Sequence, residues 1–237
     1  MEPGRYGRPI NWDKVRFYKY FLFEKLMLFS LIERKWHNEE HYNLKFRKPE
    51  DFDFKPGQYL TVRFNYNGEV LPRAFSISSS PTEKYIMFTI KKEGRISEKL
   101  GDIEIGSEIE ARGPFGLFTL DENFKNIIFI AGGTGIAPFR SMIKYTLDKN
   151  LDINIKLFYS ARTEKDLLFK GEFEKINNEK FSFISVVTRD ENFKGYKGRI
   201  DLNLLKENID NIHSLFYICG PKDFVSHIKW ILNKLDV

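Results

Sequence analysis

Residues 127–149 read IIFIAGGTGIAPFRSMIKYTLDK, and they give the strongest indication of the architecture of the second half of the chain. An apolar run leads into a glycine-rich segment, residues 131–138, and then into a pattern with helical spacing. Glycines at such a turn let backbone amides approach a phosphate at the positive end of the helix. We expect a dinucleotide there, although Pro138 stands where the common fingerprint has glycine or alanine. Similar turns also occur in proteins that bind nothing at them.

The same alternation continues to the end of the chain. Apolar runs at residues 153–160, 181–188 and 215–219 precede helical patterns at 166–176, 201–208 and 224–235. Continuous apolar strands that alternate with helices predict a parallel sheet with both faces covered. Ligands of such sheets lie at the carboxyl ends of the strands. These ends carry AGGTGIAP, YSAR, VTRD and ICGP, so all four should face one crevice.

The first half of the chain has a different periodicity. Short alternating runs at residues 28–37, 41–49, 58–65, 73–79, 85–92 and 107–113 are separated by turn signals such as Pro56-Gly57. This pattern predicts an antiparallel, six-stranded β-barrel. We therefore expect two domains, a barrel over 28–120 and an α/β domain with a parallel sheet over 125–237. Residues 1–27 would form an N-terminal extension outside the barrel.

Composition narrows the function. The net charge of +5 is spread along 237 residues, so we expect no nucleic-acid partner. The single cysteine, Cys219, excludes an internal disulfide and an iron-sulfur centre held by four thiolates of this chain. We expect no metal site, an organic electron carrier if the protein handles electrons, and a cytoplasmic location.

Residues 5–29 allow two interpretations. They are rich in aromatic side chains, but Lys19, Glu24 and Lys25 make a membrane span costly. The first interpretation is a strand or helix that covers the barrel, with Met27 as an alternative start of translation. The second is a basic, aromatic anchor that lies on a membrane surface.

Two segments of the barrel carry candidate binding residues. In Arg73-Ala74-Phe75-Ser76, the guanidinium suits a pyrophosphate, the ring suits a flat heterocycle, and the hydroxyl suits a ring nitrogen or oxygen. A surface arginine beside a core phenylalanine is the simpler alternative. Residues 94–97 open a short helix whose amides and hydroxyl suit phosphate, or else merely cap that helix.

Taken in order, these segments resemble the ferredoxin-NADP reductase superfamily. The resemblance rests on FKPGQYL, RAFSISS, GRISEKL, GPFG, AGGTGIAPFRSMI, LFYSARTEKDLLF, GRI and YICGPKDFV, and it covers the chain from about Leu28. It implies an FAD-binding barrel followed by an NAD(P)-binding domain. It also implies a flavoprotein oxidoreductase that transfers a hydride from NAD(P)H to FAD and electrons onward to a separate acceptor.

For the barrel, the resemblance implies a set of flavin-binding residues. Arg73 would bind the FAD pyrophosphate, Phe75 would lie against the isoalloxazine where the family usually has tyrosine, and Ser76 would bond near the hydride-accepting nitrogen. The strand that passes the flavin and the pyrophosphate loop complete the set with Ala74, Thr89, Ile90, Lys91, Gly94, Ile96 and Ser97.

For the second domain, the resemblance implies the nucleotide-binding residues. Thr134 and Cys219 would lie beside the reacting rings, which with Ser76 makes three catalytic candidates, although a small buried core residue is the alternative for Cys219. The surrounding loops supply Gly132, Gly133, Gly135, Pro138, Gly220 and Pro221. Ser160, Arg162 and Arg189 would face the adenosine ribose, and the two arginines favour NADPH, although the segments SAR and TRD also occur in family members that use NADH.

The sequence does not choose the electron acceptor. A ferredoxin, a flavodoxin, an oxygenase component and a hydrogenase component all suit the resemblance, and we find neither the iron-sulfur domain nor the terminal aromatic lid that the family often adds. We therefore expect acceptors to reach the flavin edge directly. The alternative is an FAD-binding electron-transfer subunit that works only inside a larger redox complex.

Overall fold

The computed structural model describes residues 26–66, 68–209 and 213–235. Most of the segment with two interpretations, residues 5–29, lies outside this range. The first domain contains a helix, α1 (Arg95–Asp102), and six strands, which are β1 (Met27–Trp36), β2 (His41–Arg47), β3 (Tyr59–Tyr66), β4 (Glu69–Ser76), β5 (Tyr85–Lys91) and β6 (Glu108–Phe115). The six predicted strands and the short helix are confirmed.

These strands form one antiparallel sheet in the order β4-β3-β6-β1-β2-β5. The two edge strands approach each other, because Ile77 just after β4 forms a bridge with Phe88 of β5. The curled sheet encloses an apolar core that includes Phe29, Leu44 and Leu60. The predicted barrel is therefore confirmed, with its seam between β4 and β5.

The second domain is a parallel sheet with helices. Its strands are β7 (Asn126–Gly132), β8 (Asn154–Ala161), β9 (Phe181–Val187), β10 (Tyr196–Lys197) and β11 (Leu215–Cys219), in the order β10-β9-β8-β7-β11. Its α-helices are α2 (Ile136–Asp148), α3 (Lys170–Phe173), α4 (Leu202–Asn208) and α5 (Lys222–Asn233). Separate apolar clusters around Phe129 and Phe158 cover opposite faces of the sheet, as predicted.

One helix is shorter than predicted. The pattern at residues 166–176 predicts a continuous helix, but only Lys170–Phe173 is helical. Leu168 is buried and its N–H is bound by the Tyr159 hydroxyl at 3.1 Å, while Phe169 has a left-handed backbone with φ of 63°. Burial of the leucines in the core therefore overrides local helical periodicity. The strand β10, only two residues long, was also not predicted.

Buried polar contacts join the two domains. Arg140 of α2 donates to Glu83 Oε2 at 2.9 Å and to the carbonyl of Ser78 at 2.8 Å, both in the first domain. The Ser141 hydroxyl donates to the carbonyl of Ser79 at 2.6 Å. These contacts hold the start of α2 against the segment that follows β4. In the part of the chain described, no helix is long and apolar enough to cross a membrane.

Candidate functional site

A cleft of about 270 Å³ lies between the two domains. On one side it is lined by the ends of β7 and β8 and by the segments that follow β7, β8, β9 and β11, through Gly132, Gly133, Thr134, Ser160, Ala161, Arg162, Thr188 and Pro221. On the other side the barrel contributes Glu40, His41, Lys91 and Glu93. The prediction that the four strand ends face one crevice is therefore confirmed.

The glycine-rich turn presents open backbone to this cleft. Gly133 has a positive φ of 54°, and no atom lies within 4 Å of the position that its Cβ would occupy. The neighbouring glycines are instead required by packing. A Cβ on Gly132 or on Gly220 would lie 2.9 Å or 2.7 Å from the ring of Phe224. The space beside Gly133 is therefore free, whereas Gly132 and Gly220 are closely packed against Phe224.

Cys219 ends β11 beside this turn. Its thiol is half-buried, and burial raises its pKa to about 11 despite a backbone hydrogen bond from Gly220. The thiol is consequently neutral near pH 7. A neutral thiol is a weak nucleophile, so this environment does not suit Cys219 to act as a reacting thiolate.

The Arg73–Ser76 motif lies at the end of the edge strand β4. Arg73 and Ala74 are exposed, and Phe75 is half-buried with its ring 5.7 Å from that of Phe88 in β5. Ser76 pairs with Tyr59 of β3. The motif therefore borders the seam of the barrel. It lies next to β5, the strand that the family resemblance implies passes the flavin.

The three candidates on β5 have different surroundings. The Thr89 hydroxyl donates to Ser78 Oγ at 2.8 Å, and the Ile90 side chain is buried in the barrel core. Lys91 lines the cleft. The strand β5 also lies against the turn Gly133–Gly135. The structure therefore brings the barrel seam and the glycine-rich turn together.

In the loop before α1, the backbone at Gly94 has free space beside it, whereas the neighbouring side chains are packed or hydrogen-bonded. Gly94 has a φ of 85° with no atom within 4 Å of a Cβ position. The Ser97 hydroxyl accepts from the Glu93 N–H at 2.8 Å and donates to the Gly94 carbonyl at 3.0 Å, and Ile96 is in the core. The Ser97 hydroxyl thus organises this loop.

The remaining candidates of the second domain divide into two groups. Ser160 and Arg162 line the cleft, whereas Arg189 is exposed outside its lining and hydrogen-bonds to the Arg162 carbonyl through its backbone N–H, at 2.7 Å. Pro138 is buried in the first turn of α2. Ser160 and Arg162 therefore lie at the cleft, whereas Pro138 is packed inside the protein as part of α2.

The sequence analysis missed several lining residues. One is Phe224, which lies three residues after Pro221 in the segment YICGPKDFV. The glycines that make room for its ring, Gly132 and Gly220, are the sequence feature that could have indicated it. The others have no local signal, because they reach the cleft only when the two domains meet: Glu40, His41, Glu93, Asp166 and Thr188. Across the described residues, no group of three or more potential ligands is arranged to hold a metal ion.

The residues fit a flavin dinucleotide in the barrel and a nicotinamide dinucleotide in the cleft. The backbone at Gly94 and at Gly133 is open on its Cβ side, which leaves room for a ligand, and Arg73 is exposed for an anionic group. Arg112 pairs with Thr61, which in turn pairs with Ala74, and its Nε is buried without a hydrogen-bond partner in the described structure. A polar ligand atom would satisfy such a group.

Comparisons with known proteins agree with this geometry. Residues 29–120 match the model of the oxidoreductase FAD-binding domain, and residues 129–229 match that of the oxidoreductase NAD-binding domain. The chain is 34% identical over 207 residues to the sulfhydrogenase 1 subunit gamma of Pyrococcus furiosus, covering 83% of this chain and 68% of that protein. The chain belongs to the ferredoxin-NADP reductase superfamily of FAD- and NAD-binding oxidoreductases.

Other relatives share the fold or part of the sequence. The glycine betaine monooxygenase reductase subunit of Pseudomonas aeruginosa is 34% identical over 197 residues, which cover 78% of this chain and 54% of that protein. The chain thus spans about half the length of that relative. A ferredoxin NADP+ reductase from Neisseria gonorrhoeae, solved with FAD and NADP, has a TM-score of 0.79 at 24% identity and covers 89% of this chain and 91% of its own.

Proposed function

We propose that this protein is an NAD(P)H-dependent flavoprotein reductase that passes electrons to a separate acceptor protein. FAD, when bound, supplies an acceptor for a hydride and a donor of electrons. The observation that carries the proposal is the contact of β5 with the turn Gly133–Gly135, because a flavin bound along β5 and a nucleotide bound at the turn would then lie side by side. Hydride transfer needs such close alignment of two rings.

The residues of the chain would divide this work between binding and alignment. Arg73 and the amides near Gly94 would hold the diphosphate of FAD, while Phe75 would pack against its ring system and Ser76 would donate a hydrogen bond to it. Thr134 and Cys219 would orient the nicotinamide. The neutral state of the Cys219 thiol supports an orienting role, since alignment requires no charged nucleophile.

The direct test is spectroscopic. The purified protein should be yellow, release FAD on denaturation, and lose its flavin absorbance near 450 nm when NADPH or NADH is added without oxygen, as bound flavins do on reduction. A protein that binds FAD but is not bleached by either nucleotide would contradict the reductase function while leaving the flavoprotein assignment. Absence of FAD after reconstitution would contradict both.

The acceptor we propose is an acidic redox protein such as a ferredoxin, a flavodoxin, or a component of an oxygenase or a hydrogenase. The net charge of +5 supports this choice, as do relatives named as reductase or sulfhydrogenase subunits. Electrostatic attraction speeds association and weakens as salt is added. Reduction of the acceptor should therefore slow from 0.05 to 0.5 M salt, whereas reduction of a neutral dye should change little.

A second function is an electron-transfer subunit that is active only inside a larger complex. The word subunit in the names of two relatives favours it. The two functions differ in the isolated chain. Rapid anaerobic bleaching of the flavin by a nicotinamide nucleotide, with the purified chain alone, supports the independent reductase, and bleaching that requires a co-purified partner supports the subunit.

A further inference from the structure

His41 forms part of the barrel wall of the cleft, at the start of β2. Its side chain is nearly completely buried, with a residue exposure of 5%. It faces the same cleft as the glycine-rich turn, which is where a dinucleotide would place its diphosphate. The residue belongs to the FAD-binding domain, so its role would cross the domain boundary.

The hydrogen bonds of Asn38 fix the proton on His41. Asn38 Nδ2 donates to the Lys165 carbonyl at 3.0 Å and to Asp166 Oδ1 at 3.2 Å, and both of these are acceptors. The amide oxygen therefore faces His41 Nδ1, at 3.1 Å, and must accept from it. A neutral His41 consequently carries its proton on Nδ1 and leaves Nε2 as a bare acceptor.

The second ring nitrogen is free for a ligand. Within the described residues, Nε2 has no hydrogen-bond partner. It is also not among the completely buried side-chain atoms without a partner, so it is not sealed off from the cleft. Since His41 lines the cleft, this nitrogen is the part of the ring available there. It can accept a hydrogen bond when the ring is neutral and donate one when the ring is protonated.

The charges around His41 determine how much a protonated imidazole would add to the binding of an anion. Lys91 Nζ lies 3.8 Å from Glu40 Oε2 and 3.3 Å from Glu93 Oε2, so two carboxylates offset its charge. The charged and titratable groups that face His41 or line its cleft are His37, Glu40, Lys91, Glu93, Arg162 and Asp166. Apart from His41 and His37, three are acidic and two are basic, so the cleft by itself attracts an anion poorly.

We propose that His41 is a ligand of the diphosphate of the nicotinamide dinucleotide, and that it acts when its imidazole is protonated. The proposal rests on the function proposed above. Asp166 Oδ1 lies 3.8 Å from Nδ1 and stabilises the positive charge of the imidazolium. On the opposite side of the ring, Nε2–H donates to a phosphate oxygen. His41 therefore couples nucleotide affinity to proton concentration.

The sign of the pH dependence follows from burial. Burial lowers the pKa of His41, and the nearby charges of Asp166 and Glu40 oppose this without reversing it. The free protein therefore holds a neutral ring near pH 7. Binding of an anionic diphosphate favours the protonated ring, so nucleotide affinity should rise as pH falls below the ordinary range of histidine.

The test is calorimetric titration of the FAD-loaded protein with NAD+, which is stable in acid and lacks the extra phosphate of NADP+. We expect the wild-type protein to bind NAD+ roughly 10-fold more tightly at pH 5.5 than at pH 8, the effect of one charge-assisted hydrogen bond. His41→Gln should abolish that difference. His227→Gln is the matched control, because His227 binds the carbonyl of Ile200 and lies outside the cleft lining.

A second readout reports on His41 itself. The chain has four histidines, so imidazole NMR signals can be assigned by substitution, and saturating NAD+ should raise the pKa of His41. Equal pH dependence in wild type and His41→Gln, or an unmoved His41 signal, would overturn the proposal. A pH-independent loss of affinity in His41→Gln would assign Nε2 to a ribose hydroxyl instead. Failure of the wild type to bind NAD+ or NADP+ would refute the reductase function as well.

Discussion

Gly135 packs directly against the end of β11, so that a Cβ at this position would overlap the carbonyl oxygen of Cys219 and lie 2.7 Å from the Gly220 nitrogen. The backbone of Gly135 is ordinary, with a φ of −60°. The glycine is therefore needed for space and not for conformational freedom. This contact joins the turn proposed to bind the nucleotide to the residue proposed to orient the nicotinamide.

Gly135→Ala should displace Cys219 relative to the turn. Overpacking of this kind costs about 1–3 kcal/mol of stability, and a displacement of about 1 Å in an aligned site costs up to about 100-fold in rate. We expect slower anaerobic bleaching of the flavin by NADPH, measured by stopped flow. Gly171→Ala is the control, because nothing lies within 4 Å of its Cβ position. Equal kinetics in both variants would place the Gly135 contact outside the reaction.

Cys219 should react slowly with alkylating reagents. Its pKa of about 11, against an ordinary value of 9.0, leaves roughly 100-fold less thiolate at pH 8. Iodoacetamide should therefore label the folded protein slowly and the protein in denaturant rapidly, with mass spectrometry as the readout. Since Cys219 is the only cysteine, no other thiol interferes. Rapid labelling of the folded protein would contradict the buried, neutral thiol.

Cys219→Ala should slow flavin reduction and leave the spectrum of the oxidised flavin almost unchanged. The barrel holds the flavin in our proposal, whereas Cys219 orients only the nicotinamide. The expected pattern is a lower rate of bleaching at saturating nucleotide with an unchanged FAD content. Unaltered kinetics would make Cys219 a core residue of the sheet.

Arg73→Ala should weaken FAD binding. Loss of a charge-assisted contact to the pyrophosphate lowers affinity roughly 10- to 150-fold, so the variant should lose flavin during gel filtration. Arg63→Ala on the neighbouring strand is the control, because Arg63 is paired at 3.4 Å with Glu110. If both variants keep their full yellow colour, the pyrophosphate lies elsewhere.

Arg162→Ala should raise the Michaelis constant for NADPH more than that for NADH. Arg162 lines the cleft and is exposed, which suits a contact with the extra phosphate, and such a contact corresponds to roughly 10- to 150-fold. Arg189→Ala should have the smaller effect, because Arg189 does not line the cleft. Equal effects on the two nucleotides would assign Arg162 to a group that both share.

Removal of one partner from the buried Arg140–Glu83 pair should destabilise the protein strongly. Glu83→Gln removes one of the two carboxylates that pair with the buried Arg140 and leaves only Glu172, so the loss should approach but not exceed the about 3–5 kcal/mol typical of a fully broken buried pair. Unfolding in urea measures the change. Lys125→Ala, which breaks an exposed pair with Asp152, should change stability little, because solvent screens such pairs. Similar losses in both variants would contradict the role of burial.

This pair also predicts a direction of acid sensitivity. Burial raises the pKa of Glu83, but hydrogen bonds and charge from Arg140 outweigh it, so the net pKa is lowered. A lowered folded-state pKa stabilises the protein above the unfolded-state value, and this stabilisation is lost as pH falls through the folded value. Glu83→Gln should therefore flatten the dependence of stability on pH below about pH 4.5, the ordinary range for glutamate.

Local patterns were sufficient for the fold. The turn at residues 131–138 and the alternation in β1 to β6 are short-range features, so composition and spacing specified both domains. The helix predicted at 166–176 failed because Leu168 packs into a core that the local sequence does not reveal. Tertiary burial decided that segment.

The candidate site was only partly accessible to sequence reasoning. Motifs within one strand-to-helix turn, such as those ending at Gly135 and Pro221, could be found by their spacing. Arg140 and Glu83 are 57 residues apart, and the barrel side of the cleft carries no motif at His41. Contacts between domains depend on docking geometry, which spacing along one chain does not encode.

The contacts of Arg140 also bear on how such chains can be recombined. Arg140 lies in the second domain, but Glu83 and the Ser78 carbonyl lie in the first, on the other side of the connecting segment. A chimera joined within residues 116–125 would therefore separate Arg140 from Glu83, one of its two carboxylate partners, and leave it only Glu172 of its own domain. Exchange of nucleotide-binding domains between relatives would succeed only if residues 78–83 were inherited together with α2.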